Sequence, residues 1–258
     1  MSDYPLPNVS FDLTGQVALV TGATSGLGWR FSQVLAAAGA TVVPTGRRRE
    51  RLDELAALIS AAGGAVHPIA LDMEDHESII GAVAAAEEAV GRVTVLVNNA
   101  GIPDAQRAHK MSIELIDQVL DTNLRGPYIL SCEVARRLIA ADVPGRMVNI
   151  SSAGAYNYSG NGAALYSISK AAIVRMTEVL AVEWSRYNIN VNGIAPGAFA
   201  SEMMTGMLER MGDFTPHFPR KRLGDPAQLD STLLYLCGPA SEAVTGTVII
   251  VDDGQGSR

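Results

Sequence analysis

With 258 residues, 48% hydrophobic and 18% charged, the chain has apolar content for one sizeable core, and its 25 glycines, without collagen-like periodicity, point to tight turns. A formal net charge of −7 argues against general affinity for nucleic acid or anionic lipid, both of which need clustered Lys and Arg. No apolar run is long enough to span a bilayer, and residues 1–8, with Asp3, Pro5 and Pro7, lack the basic-then-apolar order of a secretory signal.

Short β-rich runs alternate with helical stretches. Strands are expected at 17–21, 41–45, 66–70, 93–97, 147–151, 189–194 and 247–251, and helices at 26–38, 48–61, 76–90, 112–140, 164–187 and 226–237. Several strands are nearly continuous apolar runs, the pattern of strands buried on both faces. The alternation predicts an α/β fold: a doubly wound, mostly parallel seven-stranded sheet with helices on both faces, in one domain over 1–258. Cys132 and Cys237 fall in apolar helical stretches and read as buried small hydrophobes in a reducing cytoplasm. Two cysteines and four histidines without ligand spacing predict no metal site.

The first strand leads into Thr21-Gly22-Ala23-Thr24-Ser25-Gly26-Leu27-Gly28 and then a helix. Glycines let backbone amides approach a pyrophosphate, and the following helix offers unpaired N–H groups and a positive dipole end. The spacing is Gly-x-x-x-Gly-x-Gly rather than the commoner Gly-x-Gly-x-x-Gly. The second strand ends in Thr45-Gly46-Arg47-Arg48, with no carboxylate to hold ribose hydroxyls. A guanidinium there can grip a 2′-phosphate, so Arg47 favours NADP(H), while the absence of an acid also tolerates NAD(H). Arg49 and Arg51 read as the start of a solvated helix.

Further along, Val97-Asn98-Asn99-Ala100-Gly101 ends a strand in paired amides and a small turn, and Asp121-Thr122-Asn123-Leu124 puts an uncharged amide inside a long helix. Val148-Asn149-Ile150-Ser151-Ser152 ends another strand with hydroxyls able to hold a substrate oxygen. Tyr166 and Lys170, four residues apart, share one helix face. A phenol's ordinary pKa near ~10 is too high for efficient proton exchange at neutrality, and a neighbouring ammonium lowers it. Tyr166 can then protonate a carbonyl receiving hydride, or deprotonate an alcohol. Beyond the sixth strand, Met203, Met204, Met207, Met211, Phe214 and Phe218 suggest an adaptable apolar lid at about 198–219.

Together these motifs resemble the short-chain dehydrogenase/reductase superfamily, in its single-domain branch of about 250 residues, from roughly Leu13 to Gly254. The glycine motif matches Thr21 to Gly28, and the Asn-Asn-Ala-Gly motif matches Asn98 to Gly101. The resemblance implies a Rossmann-type fold and a soluble cytoplasmic oxidoreductase that interconverts a carbonyl and a secondary alcohol. It also implies roles. Tyr166 exchanges the proton, Ser152 orients the substrate oxygen, Lys170 lowers the tyrosine pKa and binds the nicotinamide ribose, and Asn123 holds a water in a proton relay. Gly22, Thr24, Ser25, Gly26, Leu27 and Gly28, with Asn99, Ala100 and Gly101, line the cofactor; Asp72 and Met73 stand beside the adenine. Pro196, Gly197, Ile194, Phe199 and Ser201 lie near the nicotinamide.

Two departures stand out. Ser152 lies fourteen residues before Tyr166, one more than in common relatives, which leaves Ser151 as a substitute, and Val251-Asp252-Asp253-Gly254 replaces a Val-Asp-Gly-Gly turn. The patterning favours an NADPH-dependent 3-oxoacyl or ketone reductase, resembling 3-oxoacyl-acyl-carrier-protein reductases, acting on a fairly apolar small molecule. The alternatives are an alcohol, polyol or sugar-acid dehydrogenase, or a dinucleotide-binding regulator or scaffold without turnover. Long apolar helices at 112–140 and 164–187 suggest a homo-oligomer, tetramer or dimer, as the resemblance also implies.

Overall fold

The structure is a computed structural model that describes residues 5–158, 160 and 162–256; Asp3, Ser159 and Asn161 lie outside the described residues. Seven strands form one sheet in the order β3-β2-β1-β4-β5-β6-β7, every pair parallel. In chain order they are β1 Val17–Val20, β2 Thr41–Gly46, β3 Ile69–Ala70, β4 Val95–Asn98, β5 Gly145–Ile150, β6 Ile189–Pro196 and β7 Val248–Val251. The helices are α1 Gly26–Ala37, α2 Arg49–Ala61, α3 His76–Val90, α4 Ile113–Leu120, α5 Gly126–Ala141, α6 Ala164–Trp184, α7 Glu202–Met211 and α8 Asp230–Cys237.

The continuous apolar strands are explained by two cores, one on each face. Successive side chains of a strand point to opposite faces, so both faces of β1 must be apolar. Val17 and Leu19 join α3, α5 and α6 on one side, while Ala18 and Val20 join Phe31, Leu35, Leu52 and Leu233 on the other. Because every crossover is parallel, the C-terminal ends of β1, β2, β4, β5 and β6 open on one edge, the place where a doubly wound sheet forms a ligand crevice.

Three expected elements differ. The strand expected at 66–70 shrinks to Ile69–Ala70, with Val66 only bridging Val42, because Pro68 has no N–H for a ladder. The helix expected over 112–140 is broken by a π turn at Asp121–Arg125, after which Pro127 cannot donate to the preceding turn. The final helix begins as a 3-10 turn, Pro226–Leu229, capped reciprocally by Asp225 and Gln228. Cys132 is half-buried and Cys237 buried, both as free thiols. Among the described residues, no helix is long and apolar enough to cross a membrane, and no cluster of side chains could hold a metal ion.

Candidate active site

At the C-terminal edge of the sheet lies a cavity of about 870 Å³ that runs from β2 to the segment after β6. Its floor begins with the glycine turn, of which Gly22, Thr24, Ser25, Gly26 and Leu27 line the cavity, while Gly28 packs behind them and does not. Gly22 has φ +65, and a Cβ there would stand 2.8 Å from Ala100 Cα; on Gly28 a Cβ would stand 2.4 Å from the Gly22 carbonyl oxygen. Both positions therefore need glycine to let the turn, α1 and the loop after β4 close on one another. Thr21 and Asn99 hold that closure. Thr21 Oγ1 accepts from the Asn99 and Ala100 amides at 3.0 Å each, and Asn99 Nδ2 donates to the Thr21 carbonyl at 2.9 Å. Ser25, the N-cap of α1, makes no side-chain cap, so the helix's first amides are left for another acceptor.

Arginines flank the next wall. Arg47 lines the cavity and pairs with Glu74 at 3.1 Å. Arg48 also lines it, donating to Thr24 Oγ1 at 2.9 Å and to Glu202, at the start of α7, at 3.1 Å. Arg49 opens α2 and pairs with Asp53 at the surface, as expected; Arg51 pairs with Glu54 but also stacks over Trp29, 4.5 Å from the ring centre. Sequence alone assigns Arg48 and Glu202 no role. The run of arginines was visible, but nothing local shows which of them faces the crevice.

At the far end, α6 brings Tyr166 and Lys170 against the end of β5. Lys170 is buried; its Nζ donates to the Ile150 carbonyl at 2.9 Å and lies 5.7 Å from the centre of the Tyr166 ring. Burial holds the ammonium down to about 8. Burial also pushes the Tyr166 phenol up; a hydrogen bond with Ser152 pulls it back, and the charge of Asp104 adds to the rise. The lowering expected from Lys170 is not among the causes of the Tyr166 shift, and desolvation disfavours the charged form of both groups.

The two serines separate. Both line the cavity, but Ser151 is buried and spends its hydroxyl on the Lys170 carbonyl at 2.8 Å, whereas Ser152 bonds Tyr166 and accepts from the Gly154 amide at 3.0 Å. Asn123 does not line the cavity. The π turn sends its side chain behind the loop after β4, where Oδ1 accepts from the Ile102 amide at 2.8 Å and Nδ2 donates to the Ile102 carbonyl at 2.9 Å and to Ser169 at 3.2 Å. Lys170 and Asn123 meet across Gly101, where an added Cβ would lie 3.3 Å from Lys170 Nζ and 3.4 Å from Asn123 Oδ1.

Thr24, Gly26, Leu27, Asp72, Met73, Ala100, Pro196, Gly197, Phe199 and Ser201 all line the cavity. Ile194 does not: it faces the apolar core beneath, because its place on β6 turns the side chain away from the crevice. Ser201 caps α7 by accepting from the Met204 amide at 3.2 Å. The segment after β6 forms α7 and a 3-10 turn, Thr215–His217, and its Met203, Met204, Met207, Met211, Phe214 and Phe218 form an apolar wall. Asp104, buried and bonded to the first turn of α6, was also missed, since the contact spans sixty-one residues of sequence.

The family model for short chain dehydrogenases matches residues 16–212, from the strand before the glycine turn through α7. The chain belongs to the short-chain dehydrogenase family. This dehydrogenase is an oxidoreductase acting on CH–OH and C=O groups. It is similar to a gluconate 5-dehydrogenase from Gluconobacter oxydans (strain 621H), 35% identical over 95% of this chain and 96% of the relative. A 3-oxoacyl-[acyl-carrier-protein] reductase from Aquifex aeolicus (strain VF5) is 34% identical, over 94% of this dehydrogenase and 98% of that one. Among solved structures, a gluconate 5-dehydrogenase from Burkholderia cenocepacia J2315, in complex with NADP and tartrate, superposes with a TM-score of 0.89 at 30% identity, covering 95% and 96% of the two chains. These likenesses support a nicotinamide nucleotide as cofactor.

Proposed function

We propose that this dehydrogenase is an NADPH-dependent reductase of apolar ketones or 3-oxoacyl groups. The observation that carries the substrate class is the wall of methionines and two phenylalanines that lines the same cavity as Tyr166 and Ser152. Apolar side chains cannot satisfy a row of sugar hydroxyls, and each unmet buried partner costs about 1–3 kcal/mol. Gln255, a polar group in the same cavity, is occupied by Ala198: its Oε1 accepts from the Ala198 amide at 2.6 Å.

The cradle fits a dinucleotide. Gly22 has no room for a Cβ, the uncapped start of α1 offers its amides to the space that the phosphates need, and Arg47, paired with Glu74, lines the same cavity. No carboxylate ends β2, so Arg47, and with it Arg48, supports NADP(H) over NAD(H). When bound, the nicotinamide supplies the hydride to the carbonyl carbon.

The chain's own groups handle the oxygen and the proton. Ser152 and Tyr166 converge on the substrate oxygen, and the raised phenol keeps its proton until the oxygen gains charge. Tyr166 then donates from Oη, and the nearby Lys170 ammonium stabilises the phenolate left behind. Lys170, with a water that Asn123 would hold across Gly101, is the route by which the phenol regains a proton from solvent.

A second reading, a sugar-acid dehydrogenase, is favoured by the gluconate-named relatives. Purified protein offered apolar ketones, 3-oxoacyl thioesters and gluconate with both reduced and oxidised cofactors separates the two through the absorbance of reduced nicotinamide. Ketone reduction with NADPH at the highest kcat/KM is expected; preference for gluconate oxidation overturns the apolar reading. We place the protein in the cytoplasm as a homo-oligomer, a proposal that light scattering tests.

A further inference from the structure

Asp104 is a buried carboxylate, 3% exposed, that none of the steps above uses. It stands in the loop after β4, yet it serves α6. Its Oδ2 accepts from the backbone N–H groups of Leu165 and Tyr166 at 2.8 and 3.2 Å, and its Oδ1 accepts from the Ala105 N–H at 2.8 Å. The helix has no cap of its own, for Ala163 at the N-cap position offers no side-chain acceptor. A carboxylate among those orphan amides satisfies them and complements the positive end of the helix.

The loop is built to deliver it. Gln106 bridges Ala163, and Arg107 donates to the Gly160 carbonyl at 2.6 Å. Ala105 is held at φ +49, a left-handed conformation that a non-glycine residue keeps only when its surroundings impose it. Immediately upstream, the same loop carries Gly101 and Ile102, which pack on Lys170 and Asn123. One short segment therefore touches every group assigned to the proton path.

We propose that Asp104 is a positioning residue for Tyr166: a carboxylate cap supplied from another loop, which fixes the first turn of the helix and sets the charge environment of its phenol. This rests on the reading of Tyr166 as proton donor. The charged groups facing Tyr166 are Lys170 on its own helix and Asp104 from the loop after β4. Ser152 faces it, uncharged, from the end of β5, and His217 of the segment after β6 lines the same cavity. A negative charge at Asp104 disfavours the phenolate, so it keeps Tyr166 loaded with a proton and suits the reductive direction.

Asp104→Asn keeps a carbonyl oxygen for the amides and removes the charge. It is expected to move the alkaline limb of kcat/KM for ketone reduction to lower pH by about half a unit or more, along with a modest fall in Tm, because the amide turns an NH2 group towards the Ala105 N–H that Oδ1 now satisfies. In parallel, ultraviolet titration of phenolate, taken as the difference between Asp104→Asn and Asp104→Asn/Tyr166→Phe and compared with the wild-type pair, should show Tyr166 ionising at lower pH. An unmoved pH profile and an unmoved titration, with only Tm lowered, make Asp104 a purely structural cap and overturn the proposal. If Asp104→Asn does not fold, Asp104→Ser retains a capping oxygen and is read the same way; failure of both to fold is also the structural outcome. A wild-type protein that reduces no carbonyl sinks the proton-donor reading, while the titration still reports on Asp104.

Discussion

The Lys170 Nζ lies 5.7 Å from the centre of the Tyr166 ring and donates to the Ile150 carbonyl, so the helix pair is anchored to the end of the sheet as well as to itself. If that phenol is the proton donor, Tyr166→Phe should lower kcat by at least about 100-fold, the usual worth of general acid catalysis, and leave NADPH affinity nearly unchanged. Single-turnover kinetics with fluorescence titration of the cofactor checks both; an unchanged rate removes Tyr166 from the chemistry.

Burying Lys170 also has a signature in stability. Its folded-state pKa is held down to about 8, against an ordinary 10.5, so between those values the unfolded chain binds more protons than the folded one. Lys170 should therefore make the stability of the cofactor-free protein rise with pH from about 8, by about 1 kcal/mol per pH unit, until the buried Cys237 thiol, held up to about 12, opposes the rise above about 9. Lys170→Met should remove this rise and be the more stable of the two at pH 7. Urea midpoints at several pH values provide the measurement, and a wild-type curve flat across that window contradicts it.

Ser151 and Ser152 are neighbours with opposite assignments. Ser152→Ala should cost about 10-fold or more in kcat/KM through the lost contact to Tyr166 and the substrate oxygen, with little effect on folding. Ser151→Ala should cost about 1 kcal/mol of stability, from its buried bond to the Lys170 carbonyl, and alter turnover less. Reversed effects in a paired kinetic and denaturation experiment would exchange their roles.

Gly28→Ala places a Cβ 2.4 Å from the Gly22 carbonyl oxygen and 2.5 Å from Asn99 Nδ2, within the tightest part of the cradle. Overpacking of this kind costs about 1–3 kcal/mol and should also weaken binding of either nicotinamide nucleotide, since the turn must open to admit the methyl group. Calorimetry on the variant tests both effects.

For cofactor choice, Arg47→Ala should weaken NADPH by roughly 10- to 100-fold, the range for a lost charge-assisted bond, and NADH much less. Equal losses for the two cofactors would remove the 2′-phosphate from Arg47 and turn attention to Arg48, which holds Thr24 and Glu202 on the same wall.

The order of strands and helices, the glycine turn and the pairing of Tyr166 with Lys170 were all legible in one dimension. Each depends on spacing along the chain: a period of two with both faces apolar for β1, four residues for a shared helix face, and a strand leading directly into glycines. The tertiary structure alone decided the rest. Pro68 shortened a strand that composition favoured, and the π turn at Asp121–Arg125 aimed Asn123 at a loop behind the cavity. Ile194 turned into the core, and Asp104 found the amides of a helix sixty-one residues further on. The direction in which Tyr166 and Lys170 shift belongs there too: spacing places a cation near a phenol, but how much water both have lost depends on what the whole fold packs around them.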